Sequence, residues 1–467
     1  MPTAIVGLVL VVWAQADSPS PLLALENALQ DTIARAEPAV VAITRERNPT
    51  GEVTTAVRGR KPGVPPVPPP LDENDISQAD YLPMPGDFGS GVVIGPKEIV
   101  TAFHVVKGAA RIHVRAPGRM HFDAEVIAAD PRSDLAVISP RVAPGAPAPK
   151  LTPTKLGHAE QLRKGSFLVV LGNPYHTAHD GSASASWGIL ANTTRRILPA
   201  GPNSLESRQA FRFQPTLLLL DTKLNLGMSG GAVVNLRGEL VGITTTGGNA
   251  EGFDAQAGYA IPIDTLGRHV IETLAQGKEV EYGFLGVRLR EQSPNTIDGV
   301  EPGTPAAEGD LLPGDTILAV ADKPVPNGAS VSLMLASVPV GEPVKLKIER
   351  NKRIIERSVM LSKYPVAGEV IATSQPVPWR GLHVDFTSVT AKNPSSDYVL
   401  MAMAKGGVGV LDVEPNSPAF LAGLRPGQVI TRVAGKPVRS PAEFSRAVAS
   451  LSGPVLLQTD NGPATVK

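Results

Sequence analysis

Leu25, Leu29 and Ile33, spaced four apart, predict a helix over residues 22–36, ended by Pro38. The apolar run 39–43 predicts a strand. Residues 47–87 lose all periodicity, and the prolines between 62 and 70 predict a long loop. From 89 to 262 the chain breaks into short apolar segments separated by Gly, Pro and Asn, among them 91–94, 99–102, 135–138, 167–171, 217–220, 232–234 and 240–244. Strands at this spacing predict a β-barrel or sandwich. Leu266, Val270 and Leu274 then predict a helix at 264–275, with Gly277 as its stop.

The last third repeats itself. Val300-Glu301-Pro302-Gly303-Thr304-Pro305-Ala306 recurs as Val413-Glu414-Pro415-Asn416-Ser417-Pro418-Ala419, an offset of 113. Pro313-Gly314-Asp315 and Lys323-Pro324-Val325 recur as Pro426-Gly427-Gln428 and Lys436-Pro437-Val438 in the same register. Two copies are too few for a solenoid, so the pattern predicts tandem domains joined near 363–378.

Composition narrows the function. The chain has 467 residues, enough for about three domains. Its 44 Lys and Arg balance 44 Asp and Glu, and aromatics make up only 4%, which argues against a nucleic-acid surface. Cysteine is absent, excluding disulfides, thiolate nucleophiles and Cys-ligated metal sites. No GxxxxGK phosphate loop is present, so no nucleotide is expected. The apolar run 4–13 is too short for the roughly 20 residues of a membrane helix. Ala14-Gln15-Ala16 follows it as a small-x-small cleavage pattern, so 1–16 reads as an export signal and the mature chain as soluble. A buried first strand is the competing reading.

Three strings carry the chemistry. His104 follows an apolar strand in Val100-Thr101-Ala102-Phe103-His104, Asp134 opens one in Asp130-Pro131-Arg132-Ser133-Asp134-Leu135, and Ser229 sits in Gly227-Met228-Ser229-Gly230-Gly231. Each alone reads as a structural residue, a cap or a loop. Together, on an all-β segment, they suggest nucleophilic catalysis. A serine hydroxyl needs an imidazole to take its proton, and the imidazole needs a carboxylate to orient it. Gly227 allows a turn that aims its N–H, with that of Ser229, at the oxyanion. His176, His179 and Asp180 lie close together in an apparent loop without a third ligand of fixed spacing, and read as solvated; no metal or other cofactor is expected. His113 and His121 are expected to face water.

On these strings the sequence resembles the HtrA/Deg family of serine proteases. Gly89-Ser90-Gly91-Val92, Leu171-Gly172-Asn173-Pro174, Asp221 to Gly231, Glu239-Leu240-Val241-Gly242-Ile243 and Gly258-Tyr259-Ala260-Ile261-Pro262 match further framework motifs. The resemblance implies a mainly β fold, a chymotrypsin-like double β-barrel followed by two PDZ domains of α+β type. It implies His104 as general base, Asp134 as orienting acid and Ser229 as nucleophile. It also implies an oxyanion hole at Gly227 and Ser229, and a specificity pocket walled by Leu224 and Gly247. The expected divisions are a signal at 1–16, an N-terminal helix, strand and Pro-rich loop at 17–88, and a protease domain at 89–278. PDZ domains follow at 280–363 and 379–467, the second with an insertion near 385–405. Phe284-Leu285-Gly286-Val287 matches the loop that takes a peptide carboxylate. Arg380-Gly381-Leu382-His383-Val384 is the looser counterpart, for which a plain strand start is an equal reading.

Two departures stand out. The family's Asn-Pro-Gly-Asn-Ser-Gly-Gly reads Asn225-Leu226-Gly227-Met228-Ser229-Gly230-Gly231 here. Trp187 replaces a small hydroxyl residue and is expected to narrow the substrate groove. The resemblance implies an exported, ATP-independent endopeptidase of the periplasm or cell envelope, acting on unfolded or damaged proteins. Its partners would be unfolded chains and peptide C-termini, and it would form a homo-oligomer, a trimer or a multiple. The alternative is a catalytically quiet, PDZ-based binding protein, motivated by Leu226 and Met228.

Overall fold

The computed structural model describes residues 20–47, 88–173, 180–195, 216–245, 258–290, 293–325, 331–364, 371–390 and 406–467. The apolar run 4–13, most of the Pro-rich segment, His176, His179 and Gly247 lie outside the described residues.

Helix α1 (Pro21–Ala36) forms where the four-residue spacing places it. The Ser20 hydroxyl accepts the Leu23 N–H at 3.3 Å, and Pro21 fits the first turn, where its missing N–H costs nothing. Leu29 and Ile33 pack on the core of the adjoining barrels. Thr32, fully buried, donates its hydroxyl to the carbonyls of Ala28 (2.7 Å) and Leu236 (2.9 Å) and so docks the helix.

The next twelve strands close two barrels. The first contains β1 (Val40–Arg47), β2 (Phe88–Val93), β3 (Ile99–Ala102), β4 (Ala109–Ala116), β5 (Met120–Asp130) and β6 (Leu135–Pro140), in the order β5-β4-β1-β2-β3-β6 and closed by β5 pairing with β6. The second contains β7 (Phe167–Gly172), β8 (Ser184–Arg195), β9 (Thr216–Leu220), β10 (Ala232–Asn235), β11 (Leu240–Thr245) and β12 (Gly258–Pro262), closed in the order β10-β11-β12-β9-β8-β7. All pairings are antiparallel. Strands β2, β3, β10 and β11 carry no charged residue and are buried along their whole length, whereas β4 and β5 alternate buried and partly exposed positions. In β7, Leu168 and Val170 enter one core cluster while Val169 and Leu171 enter the other, shared with the first barrel. Each such side chain buried contributes about 1.5–3 kcal/mol. A one-turn helix α2 (Phe103–Val106) follows β3, and α3 (Thr265–Ala275), capped by Asp264 at the Gly267 N–H (2.8 Å), closes the unit with Val270, Ile271 and Leu274 in the core.

Two smaller sheets follow, each with its own core. One runs through strands 287–290, 293–300, 316–320, 343–350 and 353–360, the other through 382–386, 408–413, 429–433, 455–459 and 462–466. The stretch joining them does more than connect. Ile371 pairs with Ala129 and Ala372 with Ala128, adding a short strand to β5 of the first barrel, and Ile371 is buried there.

His121 is exposed, but His113 is not solvated as expected. The sheet places it between Asp123 (Nδ1 to Oδ1, 2.8 Å) and Glu46 (Nε2 to Oε1, 2.9 Å), with Arg111 on the other oxygen of Asp123 at 3.1 Å. Burial opposes the charged imidazole, but the hydrogen bonds to Asp123 and Glu46 outweigh it and raise its pKa. A raised folded pKa gives stability that is full below the unfolded value near 6.5 and lost as pH rises through the folded one. The melting temperature of the wild type should therefore fall toward that of His113→Gln between acidic and mildly alkaline pH. Parallel melting curves across that range would contradict the assignment.

Candidate active site

The three candidate side chains come from loops at the seam of the barrels. His104 stands on α2 directly after β3, Asp134 on the β5–β6 turn, and Ser229 on the loop between β9 and β10. Asp134 is 3% exposed and has a φ of 62°, a left-handed conformation that aspartate tolerates better than most residues. One carboxylate oxygen accepts His104 Nδ1 at 2.8 Å and the Thr245 hydroxyl at 2.7 Å; the other accepts the His104 backbone N–H at 3.0 Å. The Asp134 carbonyl accepts the Phe103 N–H at 2.8 Å. Ring, main chain and carboxylate are thus fixed together. Hydrogen bonds to a buried charge of this kind contribute about 1.5–3 kcal/mol each. Arg45 Nη1 closes the helical turn from outside, on the carbonyls of His104 (3.0 Å) and Lys107 (2.6 Å). The imidazole is 35% exposed, so one edge stays open to a substrate.

The serine loop is shaped by Ser90. Its buried hydroxyl donates to the Gly227 carbonyl (2.8 Å) and accepts the Asn173 N–H (2.9 Å), while its own N–H donates to the Ser229 carbonyl (2.8 Å). This one residue ties β2, the end of β7 and the serine loop together, which explains two of the framework strings. Gly230 has φ 84°, and a Cβ there would lie 2.1 Å from the Ser90 carbonyl oxygen; only glycine fits. Gly227 has φ 95° and presses on the Asn173 carbonyl in the same way.

Among the described residues, neither the Gly227 N–H nor the Ser229 N–H donates to another group. Two unclaimed amides beside the hydroxyl are what an oxyanion hole requires. No hydrogen bond joins Ser229 Oγ to the imidazole among the described residues; such pairs commonly tighten only when substrate is bound.

Met228 takes on a different meaning in three dimensions. It is buried among Leu168, Val170, Leu218, Leu220 and Val233, its carbonyl accepting the Thr244 hydroxyl and the Gly231 N–H. The residue that departs from the family pattern anchors the loop into the second barrel. Leu226 stands exposed. Leu224 is half-buried and lies against Gly258, where a Cβ would come within 2.8 Å of Leu224 Cγ. Trp187 leans on Phe167 with centroids 5.8 Å apart, at the opposite end of β7 from Asn173. No group of three or more His, Cys, Asp or Glu suited to a metal occurs among the described residues.

In the first small sheet, the Leu285 carbonyl accepts the Ala306 N–H (2.9 Å) and the Gly286 carbonyl the Glu301 N–H (3.0 Å), while Gly286 has φ 84°. Phe284 is buried, and Val287 begins the edge strand. The second sheet reproduces this bonding: the Ala419 N–H donates to the Arg380 carbonyl (3.2 Å), the Glu414 N–H to that of Gly381 (2.8 Å). Arg380-Gly381 therefore corresponds to Leu285-Gly286. The offset is 113 at Ala306 and Ala419 but 95 at Leu285 and Arg380, so the second copy carries 18 extra residues in between. In the second loop the Leu382 N–H is already taken by the Trp379 carbonyl at 2.9 Å.

The trypsin-like peptidase domain family matches residues 89–243, and PDZ domain families match 283–361 and 409–459. The chain is a serine endopeptidase, a trypsin-like peptidase domain followed by two PDZ domains. Similar to it is the periplasmic serine endoprotease DegP of Salmonella typhimurium, 29% identical over 396 residues, covering 81% of this chain and 75% of that one. A probable periplasmic DegP-like endoprotease of Pseudomonas putida is 28% identical over 458 residues, covering 91% and 89%. In fold, the chain is similar to an HtrA-type protease, AlgW, solved with a tripeptide: TM-score 0.50, 23% identity, 72% of this chain and 98% of that one. No described helix is long and apolar enough to cross a membrane.

Proposed function

We propose that His104, Asp134 and Ser229 form the catalytic triad of a periplasmic endopeptidase that cleaves unfolded or damaged proteins without ATP. The observation that carries this reading is the Asp134 carboxylate, buried and bonded at once to His104 Nδ1, the His104 main chain and Thr245. Ser229 Oγ attacks the scissile carbonyl carbon, and its proton passes to His104 Nε2. Asp134 holds the other ring proton on Nδ1 and stabilises the imidazolium. The amides of Gly227 and Ser229 donate to the oxyanion, each contributing about 3–4 kcal/mol. Collapse expels the amine, which takes the proton from Nε2. A water then enters and repeats the steps in reverse to free the acyl group.

The printed names of the relatives support a periplasmic setting. The first PDZ domain, with Phe284, Leu285, Gly286 and Val287 beside an open strand edge, would take substrate C-termini by strand addition. The family resemblance supports a homo-oligomer, a trimer or a multiple of it. Leu224 and Gly247, the two residues the resemblance assigns to the pocket walls, are both uncharged, so a charged substrate side chain there would be desolvated without a partner. Mass spectrometry of fragments from unfolded casein tests the whole reading. Cuts should follow Val, Ala, Leu or Met, with preferences among them of about 1–3 kcal/mol. A majority of cuts after Lys, Arg, Asp or Glu would contradict the pocket, and intact casein would contradict the activity.

A further inference from the structure

We infer that Arg132 is a positioning residue: clamped between Tyr282 and Tyr364, it makes the alignment of Asp134 on His104 depend on how the first PDZ domain is seated. The inference rests on the triad proposed above.

The loop from Asp130 to Asp134 ends in a left-handed aspartate, a backbone state that its surroundings must hold in place. Part of that hold comes from the barrels themselves, through Phe103, His104, Thr245 and Asp130, and part from outside them. The buried Asp130 carboxylate accepts the N–H groups of Arg132 (3.3 Å) and Ser133 (3.0 Å), and also the Tyr282 hydroxyl. The Arg132 guanidinium lies 4.3 Å from the centre of the Tyr282 ring and 4.0 Å from that of Tyr364. A flat cation between two aromatic faces is a fit that lysine does not reproduce.

The two rings belong to opposite ends of one domain. Tyr282 immediately precedes strand 283–284 and Tyr364 immediately follows strand 362–363; these strands pair, and the Tyr364 N–H donates to the Tyr282 carbonyl at 2.7 Å. Tyr364 also meets Phe284, the first residue of the carboxylate loop, edge to face at 6.0 Å. Next to it, buried Lys363 joins Glu279 (2.8 Å), Glu281 (3.7 Å) and Asp385 of the second PDZ domain (2.8 Å). The chain then returns to the barrel, where Ile371 pairs with Ala129, one residue before Asp130. Entry, exit and linker of the PDZ domain therefore all converge on the five residues that present the catalytic carboxylate.

The test uses the full chain with Arg132→Ala and Tyr364→Leu, the latter altering a residue outside both barrels. Two readouts separate positioning from interdomain glue: kcat and KM on a short chromogenic peptide, and the downfield proton NMR signal of His104 Nδ1–H bonded to Asp134. Arg132→Ala should lower kcat tenfold or more with KM within twofold, and should shift or broaden the signal. Tyr364→Leu should move both in the same direction by less. If both variants keep kcat within twofold and leave the signal unmoved, the inference is overturned, even where the melting temperature falls. If Arg132→Ala does not fold, Tyr364→Leu and Arg132→Lys carry the same readouts. Wild-type cleavage by Ser229→Ala would remove the triad reading instead, and the Nδ1 signal would still decide whether Arg132 positions Asp134.

Discussion

Ser229→Ala should lower kcat on casein or a peptide by about 10⁶ while leaving the fold and melting temperature almost unchanged. Losing the nucleophile of a Ser-His-Asp unit costs about as much as losing all three residues, because they act together. Stability should not follow. Ser229 is half-buried, and the contact it makes to the framework is through its carbonyl, which alanine keeps. The change should stay within about 0.5 kcal/mol. Purified variant cleaving at the wild-type rate would exclude Ser229 as nucleophile.

Asp134→Asn should lower kcat by about 10⁴ at neutral pH, the size of the effect when this substitution is made in such a triad. The physical reason is the tautomer. An amide must accommodate both the Thr245 hydroxyl and His104 Nδ1, and its NH₂ can turn the imidazole so that Nε2 carries the proton and cannot accept one from serine. Asparagine tolerates the left-handed backbone of position 134, so the protein should still fold. Matched kinetics and thermal melts check both halves. A loss of less than tenfold would reduce Asp134 to a cap on β6.

The sequence exposes the parts of this site that rest on local pattern. Buried strands show as apolar runs, the tandem domains as a fixed offset, and the proposed triad as three strings in chain order. What it hides depends on register between distant strands. Thr245 looks like any strand threonine until β11 brings it to Asp134. Ser90 is one small residue in a glycine-rich strand, yet it holds the Ser229 loop. His113 gains its partners because β1 and β5 flank β4, which no nearby residue signals. Ile371 and Ala372 form too short a strand to leave a periodicity. Met228 reads as a loss of polarity beside the serine, and only its burial shows that it secures the loop.

Whether that loop presents a working nucleophile at rest is settled most directly by a fluorophosphonate probe, followed by peptide mapping of the wild-type protein. Covalent modification of Ser229, absent in Ser229→Ala and slowed in Asp134→Asn, is the result this account predicts. A folded wild-type protein that stays unlabelled, or carries the label on another residue, would contradict it.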